Sequence, residues 1–289
     1  MIYFCADDYG LCDIASMHIK ECIDEDTLNK VSVFPNFDRV DLNEILKDRE
    51  TKVSLHLNLV EGKCMSDARK IDLIVDSEGN FRYTFVKLFI FSLFKRKKFE
   101  AQVYNEIRAQ VLFWKSILPI GASFLIDSHQ HTHMIPAVFK ALIKVLNDEK
   151  IELEYLRIPA EPILPYIKSP SLYLTYSAVN VIKQWLLKIL WLFNKREAET
   201  YNIPTAYFFG ILFSGKMDEK RVNKVLPKYI KMAEKNNRDL EVLLHPGYIQ
   251  KDEYDFENLE LTFLDFYKSE NRKIEFDTLM KTSIERSVK

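Results

Sequence analysis

Two groups of residues in this chain could do chemistry. The opening stretch MIYFCADDYG places two carboxylates, Asp7 and Asp8, directly after an apolar run, and the tract DSHQHTHM places imidazoles at His129, His131 and His133. Imidazole is the commonest metal-binding side chain, and both groups can transfer protons. If the tract were extended, its alternate side chains would share a face, so up to three imidazoles could converge on a metal.

Two further histidines follow or interrupt apolar runs, His56 in VSLHLNL and His245 in LLHPG, whereas His18 lies in a helical pattern and is interpreted as an ordinary surface or packing residue. In parallel β/α folds the carboxyl ends of the strands meet at one face. We therefore expect a shared site there. A catalytic Zn²⁺ takes three protein ligands, so some of these histidines must orient ligands or hold substrate.

The adjacent acids can divide the work of such a site. Their side chains diverge from one backbone, so one of them could bind the ion while the other takes a proton from water. A different interpretation of DDYG is a helix N-terminal cap, and a different interpretation of DSHQHTHM is a hydrogen-bonded structural turn.

Apolar runs rich in β-branched and aromatic residues alternate with helical patterns along the chain. The predicted strands are 2–6, 31–35, 53–59, 123–127, 153–158, 206–213, 240–245 and 273–277. The predicted helices are 14–24 with Asp13 as N-cap, 99–117, 136–148, 218–235 and 258–269. This alternation predicts an α/β fold with a closed or nearly closed β/α barrel, an open doubly wound sheet being the second choice.

The amino-acid composition and the absence of certain motifs exclude several classes of protein function. The 289 residues carry 41 Lys and Arg against 42 Asp and Glu, so nothing favours a nucleic-acid partner. No GxGxxG or GKS/T stretch would hold phosphate. Four cysteines without a CxxC pair favour a reducing compartment, and Asp7 comes too early for an apolar signal region. We expect a cytoplasmic globular protein.

Two apolar stretches with basic ends, 84–98 and 176–196, test that expectation. Lys183, Gln184 and Lys188 interrupt the second one too often for it to span a bilayer. Its apolar residues recur at helical spacing, which predicts a core-packing helix. An in-plane membrane contact or an oligomer interface is the other interpretation.

Four motifs in this order, ADDYGL, SLHLNLVEG, DSHQHTHM and HPGY, resemble those of the YdjC/ChbG-like carbohydrate deacetylases, relatives of the NodB-type polysaccharide deacetylases. The resemblance covers most of the chain. It implies a distorted (β/α) barrel with a mostly parallel sheet, formed by a single domain over 1–289 with an apolar helical insertion around 165–205. It also implies one divalent metal ion, removal of an N-acetyl group from a chitooligosaccharide or related amino sugar, and a homo-oligomer.

The resemblance also implies residue roles. Asp8, His56 and His129 would bind the metal, Asp7 would be the general base, and His245 would protonate the leaving amine. Substrate-binding or ligand-orienting roles are expected for Asn58, Asp127, His131, His133 and Arg157. Arg157 could orient Asp7 or bind substrate, or it could form a surface ion pair.

Some alternatives stay open. The donor set suits Zn²⁺, Co²⁺, Ni²⁺, Fe²⁺ or Mn²⁺, and the family is also described with Mg²⁺, which prefers oxygen ligands. Another metal-dependent hydrolase such as a phosphoesterase is the nearest rival function, and a non-catalytic sugar-binding or membrane-associated scaffold is the next. A deacetylase that reaches lipid-linked sugars through a peripheral membrane contact of 176–193 would combine two of these ideas.

Overall fold

Seven parallel strands form one sheet at the centre of the protein. The computed structural model describes residues 1–37, 45, 51–249, 267 and 270–281. The strands run in the order β5-β4-β3-β2-β1-β7-β6. Their bounds are β1 Ile2–Tyr9, β2 Lys30–Val33, β3 Lys52–Leu57, β4 Phe124–Ser128, β5 Leu153–Leu156, β6 Tyr207–Phe209 and β7 Leu240–Leu244.

This strand order is that of a seven-stranded barrel opened between β5 and β6, because every other neighbour in the chain is a neighbour in the sheet and β7 pairs with β1. The backbone N–H of Leu156 donates to the carbonyl of Pro204 at 3.0 Å, just before β6, so the two edges approach each other. The predicted distorted barrel is confirmed, and the doubly wound alternative does not fit this order.

Eight α-helices of the described ranges accompany the sheet. They are α1 Asp13–Asp24, α2 Phe85–Phe94, α3 Arg96–Ile117, α4 Pro136–Asp148, α5 Leu164–Ile167, α6 Ala178–Thr200, α7 Glu219–Lys235 and α8 Glu270–Lys281. The predicted helices 14–24, 99–117, 136–148 and 218–235 are confirmed. The long helix α6 forms where the apolar 176–196 pattern predicts one, but its apolar residues at 182, 185, 189 and 192 are exposed, so the core-packing interpretation is wrong for that face.

Several boundaries differ from the predictions. The predicted strand 273–277 is wrong, because it lies in α8, whose buried Arg272, Glu275 and Leu279 recur at helical spacing. The predicted strand 206–213 ends at Phe209, where Gly210 turns to a φ of +149°. Cys12, not Asp13, precedes the first turn of α1. Most of the predicted helix 258–269 lies outside the described residues.

The two faces of the curled sheet differ in chemistry. The outer face is apolar and packs on the helices, as Phe4, Val31 and Leu55 do. The register of the ladders places a polar set on the concave face: Cys5, Asp7, Lys30, Ser32, Ser54, His56, Asp127, Tyr155, Arg157 and Glu241. This concave face positions the site.

Candidate active site

Three side chains meet at the carboxyl ends of neighbouring strands. Asp8 lies near the end of β1, His56 near the end of β3, and His129 just after β4. The Asp8 Oδ1 to His129 Nδ1 distance is 3.1 Å, Asp8 Oδ1 to His56 Nε2 is 3.4 Å, and His56 Nε2 to His129 Nδ1 is 3.4 Å. All three residues are buried.

This triangle fits a divalent ion. Ligand atoms at about 2.1 Å from a Zn²⁺-like ion lie about 3.0–3.4 Å apart in octahedral or tetrahedral geometry. The three observed separations fall in that range. Two imidazoles and one carboxylate are also a donor set that first-row transition metals accept. Asp8, His56 and His129 are therefore the residues that could hold a metal ion.

Asp127 orients the first imidazole. Its Oδ1 lies 2.6 Å from Nδ1 of His56, and its Oδ2 accepts hydrogen bonds from Ser32 at 2.6 Å and Ser54 at 2.7 Å. A carboxylate on the far nitrogen of a ligand histidine fixes the ring and makes it more basic. Burial would lower the pKa of His56, but the carboxylates of Asp7, Asp127 and Asp8 raise that pKa to about 10.

The other two members of the triangle, His129 and Asp8, both have lowered pKa values and are deprotonated near neutral pH. Burial lowers the pKa of His129, although Asp8 opposes this. Burial would raise the pKa of Asp8, but the Arg272 guanidinium and hydrogen bonds from both histidines hold it well below its usual value. Asp8 has a φ of +73°, a conformation that few non-glycine residues adopt.

Asp7 has different partners. Both acids lie within β1 and α1 begins only at Asp13, so the helix-cap interpretation of DDYG does not fit. The carboxylate of Asp7 accepts two hydrogen bonds from Arg157, at 2.7 and 2.8 Å. Burial would raise the pKa of Asp7, but Arg157 and His56 lower it. The two acids are thus held apart, one in the Asp8–His56–His129 triangle and one on the guanidinium.

Arg157 is fully buried, which excludes the surface ion pair considered from the sequence. Besides Asp7 it contacts Glu241 Oε1, with Nε at 2.9 Å and Nη2 at 2.6 Å. Lys30 lies 3.0 Å from the same oxygen, and Tyr155 donates its hydroxyl hydrogen to Glu241 Oε2. Sequence reasoning missed Glu241 and Lys30. The sequence did offer a signal, because Lys30 is the one charged residue of the otherwise uncharged run in β2 and Glu241 is the one charged residue of the apolar run in β7.

Arg157→Met should therefore destabilise the protein. The substitution leaves the buried carboxylates of Asp7 and Glu241 with too few cations, and breaking a buried ion pair costs about 3–5 kcal/mol. We expect the free energy of unfolding, measured by urea titration, to fall by that amount. In the control Arg108→Met, whose ion pair with Glu149 is partly exposed, the loss should stay below about 1 kcal/mol. Equal losses in the two variants would contradict the interpretation.

Arg157 and Lys30 also affect how many metal ions the site could hold. Two more groups of close ligand atoms exist among the described residues, Asp7 with His56 and Asp127, and Cys5 with Asp127 and Glu241. Both groups already contact the guanidinium of Arg157 or the ammonium of Lys30. In the Asp8–His56–His129 triangle the cation Arg272 contacts only Oδ2 of Asp8, which leaves Oδ1 facing both imidazoles, so the triangle is the better candidate for an ion.

His245 follows β7, and Glu275 of α8 positions it. The backbone N–H of His245 donates to Glu275 Oε2 at 2.6 Å, and its Nδ1 lies 3.2 Å from the same oxygen. Glu275 is itself fixed by the N–H of Gly215 at 2.6 Å. The sequence analysis missed Glu275, because it assigned 273–277 to a strand. A carboxylate on one ring nitrogen sets the orientation of the imidazole.

The histidine tract does not bring three imidazoles together. Residues His129–Met134 form a short 3-10 segment in which Gln130 and His131 have positive φ, so the expected extended alternation is wrong. His133 contacts Ser128 and the carbonyl of Arg157. Burial lowers its pKa to about 4. His133 therefore has a structural environment, and only His129 joins the triangle.

His131 lies close enough to Lys183 for the positive charge of Lys183 to affect its pKa. His131 is buried and its Nδ1 makes no hydrogen bond within the described part of the chain. Burial holds its pKa well below the usual value, and the charges of Lys183 and Arg157 add to this. Burial also lowers the pKa of Lys183, while Asp7 and Asp8 oppose that change. Helix α6 thus brings a cation near the two acids.

Asn58 holds the loop after β3. Its Oδ1 accepts the backbone N–H groups of Val60 and Glu61, both at 3.0 Å, and its Nδ2 donates to Asn36 and to the carbonyl of Glu61. The side-chain amide is fully engaged by the protein. This geometry favours a loop-shaping role over a contact with substrate.

Known proteins match this chain in sequence. "Carbohydrate deacetylase" of Danio rerio is 28% identical over 159 residues, 54% of this chain and 49% of that protein. "Carbohydrate deacetylase" of Clostridium beijerinckii is 22% identical over 191 residues, 64% of this chain and 73% of that protein. The chain thus matches only about half the length of the vertebrate relative.

The fold is also found among solved structures. A "putative cellobiose-phosphate cleavage protein" from Enterococcus faecalis V583 superimposes with a TM-score of 0.66, covering 97% of this chain and 90% of that chain at 16% identity. At this identity the similarity supports the fold alone. The family model described as YdjC-like protein matches residues 1–289. The chain therefore belongs to the YdjC-like family.

Proposed function

We propose that this protein is a metal-dependent hydrolase that removes the N-acetyl group from an acetamido sugar and releases acetate. The observation that carries the proposal is the Asp8–His56–His129 triangle with a second carboxylate beside it. An oxygen of Asp7 lies within 4.8 Å of a ring nitrogen of His56. Relatives called carbohydrate deacetylase, and the ordered motifs that this chain shares with such enzymes, support a sugar as the substrate.

In the proposed reaction Asp8, His56 and His129 would hold the ion. When bound, a divalent ion supplies a Lewis acid and makes water a usable nucleophile near neutral pH. The donor set of two nitrogens and one oxygen favours Zn²⁺ or another transition metal over Mg²⁺, which prefers oxygen ligands. Asp127 would keep the His56 ring in the ligating orientation.

Asp7 would take the proton from the attacking water. Arg157 holds its carboxylate ionised and fixes its plane through two parallel hydrogen bonds. A carboxylate with a lowered pKa is a weak base, so Asp7 suits a water molecule of lowered pKa, which a divalent ion would supply when bound. Asp7 and the triangle are therefore interdependent in this mechanism.

His245 would donate a proton to the departing nitrogen. An amide nitrogen is a poor leaving group unless it is protonated, and a positioned acid contributes about 10²–10⁴-fold. Glu275 fixes the orientation of the ring through Nδ1. His131, with its buried Nδ1, is the residue we assign to substrate contact.

A phosphoesterase is less well supported. Such sites often hold two metal ions about 3.5–4 Å apart. Within the described ranges, the two groups of ligand atoms next to the triangle already contact Arg157 and Lys30. One ion with a neighbouring base suits amide hydrolysis better.

Acetate release tests the proposal. The enzyme is stripped of metal, reloaded with Zn²⁺, Co²⁺, Ni²⁺ or Mg²⁺, and given N-acetylglucosamine, diacetylchitobiose or longer chitooligomers. We expect acetate only with metal, and more with the transition metals than with Mg²⁺. Metal-independent acetate, or phosphate release from sugar phosphates without any acetate, would contradict the proposal.

A further inference from the structure

Helix α6 presents an apolar face that the described residues leave uncovered. Its large apolar side chains recur every three or four positions on one side of the helix. Their exposed fractions are Val179 71%, Ile182 68%, Trp185 50%, Ile189 48%, Leu192 72% and Phe193 69%. Exposed apolar residues that occur singly are ordinary, but a continuous stripe on a helix marks an interaction site.

A second helix and the segment before α6 add to this surface. Helix α2 exposes Val86, Ile90, Leu93 and Phe94, the last by 82%. Helix α5 exposes Leu164 and Ile167, and the segment between α5 and α6 exposes Tyr173 and Leu174. We call the exposed apolar residues of 86–94 and 164–193 the apolar surface.

The apolar surface lies next to the candidate active site. The backbone N–H of Phe85 in α2 donates to Gln130 Oε1 at 3.4 Å, and Asn194 of α6 donates to the carbonyl of Met134 at 2.8 Å. Both helices therefore pack on the segment that carries His129. Whatever covers the apolar surface is brought close to the metal-ligating triangle.

The two chain regions that form the apolar surface contain only positively charged ionisable residues apart from tyrosine. Residues 79–99 and 162–196 contain no Asp or Glu, although the whole chain carries a net charge of only -1. The basic residues in the two regions are Arg82, Lys87, Lys95, Arg96, Lys97, Lys98, Lys168, Lys183, Lys188, Lys195 and Arg196. Arg96, Lys98 and Lys195 form ion pairs with acids outside the two regions. The remaining exposed cations lie among exposed aromatic and aliphatic side chains, and this combination matches an anionic lipid headgroup layer.

We propose that the apolar surface docks on an anionic membrane surface and thereby holds the active site at the lipid–water boundary. None of the described helices is long and apolar enough to cross a bilayer, so the contact is in-plane. A second copy of the chain suits the surface less well. A two-fold interface would bring together two copies of a region that contains cations and no Asp or Glu, so like charges would face each other.

Vesicle co-sedimentation tests the proposal without any sugar substrate, so its outcome is independent of the proposed reaction. Vesicles contain either phosphatidylcholine alone or about one-third phosphatidylglycerol. We expect binding to the anionic vesicles and little to the neutral ones. The double substitution Phe94→Ser and Leu192→Ser should lower the partition coefficient about tenfold or more. The control Met17→Ser with Ile120→Ser, also exposed but elsewhere, should change it less than about twofold.

A second set of substitutions tests whether positive charge is needed for binding to anionic vesicles. Lys95→Gln, Arg96→Gln and Lys97→Gln together should lower binding to anionic vesicles about tenfold or more, since each cation near the surface contributes about 1 kcal/mol. The matched control Lys220→Gln, Lys224→Gln and Lys231→Gln, on α7, removes the same number of charges and should leave binding nearly unchanged.

Three results would overturn the proposal. The first is no wild-type binding to anionic vesicles, and the second is equal loss in the test and control variants. The third is a dimer in sedimentation velocity that Phe94→Ser with Leu192→Ser dissociates while vesicles remain unbound, because a second copy would then cover the surface.

Discussion

Asp7→Asn is expected to lower the rate of acetate release about 10²–10⁴-fold while the protein still binds one equivalent of metal ion. The amide cannot accept a proton from water, and it removes one carboxylate from the Arg157 guanidinium without touching the Asp8–His56–His129 triangle. The measurement pairs steady-state acetate release with metal content after desalting. Undiminished turnover in this variant would rule out Asp7 as the base.

A control separates loss of the base from disturbance of its support. Glu241 contacts the same guanidinium as Asp7, but it has no place in the proposed chemistry. Glu241→Gln should therefore lower the free energy of unfolding and reduce turnover far less than Asp7→Asn does. If both variants lost turnover equally, Asp7 would matter only through Arg157.

The role of Asp7 as the base also predicts the direction in which turnover changes with pH. A base must be ionised to act, and Arg157 holds the pKa of Asp7 below its ordinary value of 3.8. Protonation of Asp7 should thus lower kcat only in strongly acidic solution. A loss of activity between about pH 5 and 7 must come from another group, and the histidines that would hold the ion provide one.

Much of the strand framework could be predicted from the sequence, because buried parallel strands appear as short apolar runs between amphipathic helices. The first residues of the site follow the same logic. Asp8, His56 and His129 each lie at or just past the end of such a run, and strand ends meet at one face. Local pattern and tertiary position agree for these three residues.

The rest could not be predicted because it depends on contacts distant in the chain. Glu241 and Lys30 lie within strands, and only the curled sheet shows that they meet Arg157 on the concave face. Glu275 was hidden by an alternating run, KIEFD, that is helical in the structure. The tract at 129–134 was misjudged because two residues with positive φ turn it into a tight segment. Spacing alone does not reveal such a backbone.

The second large effect concerns the triangle itself. His129→Ala should lower the affinity for Zn²⁺ more than about a hundredfold, because one of three protein ligands is lost. His131→Ala, two residues away on the same segment, is the matched control and should keep the ion, since His131 is outside the triangle. Equal affinities in the two variants would remove His129 from the ligand set.

Proton release sharpens this prediction. In the ion-free site the carboxylates around His56 raise its pKa to about 10, so its ring carries a proton at pH 7 that must leave before Nε2 can ligate. The pKa of His129 and that of Asp8 are lowered, so both are already deprotonated. Binding should therefore release about one proton per ion, and affinity should rise about tenfold per pH unit between pH 6 and 9.

Calorimetry in buffers of different ionisation enthalpy measures that proton count. Asp127→Asn removes the carboxylate 2.6 Å from His56 Nδ1, so it should lower the pKa of the ring and the number of protons released at pH 7. The same variant should weaken binding about 10–100-fold, because the ring loses its orienting partner. A wild-type count near zero would mean that the ion binds elsewhere or meets a neutral His56. The affinity of Asp127→Asn distinguishes these two cases, because only an ion bound at Nε2 of His56 loses affinity when Asp127 no longer orients the ring.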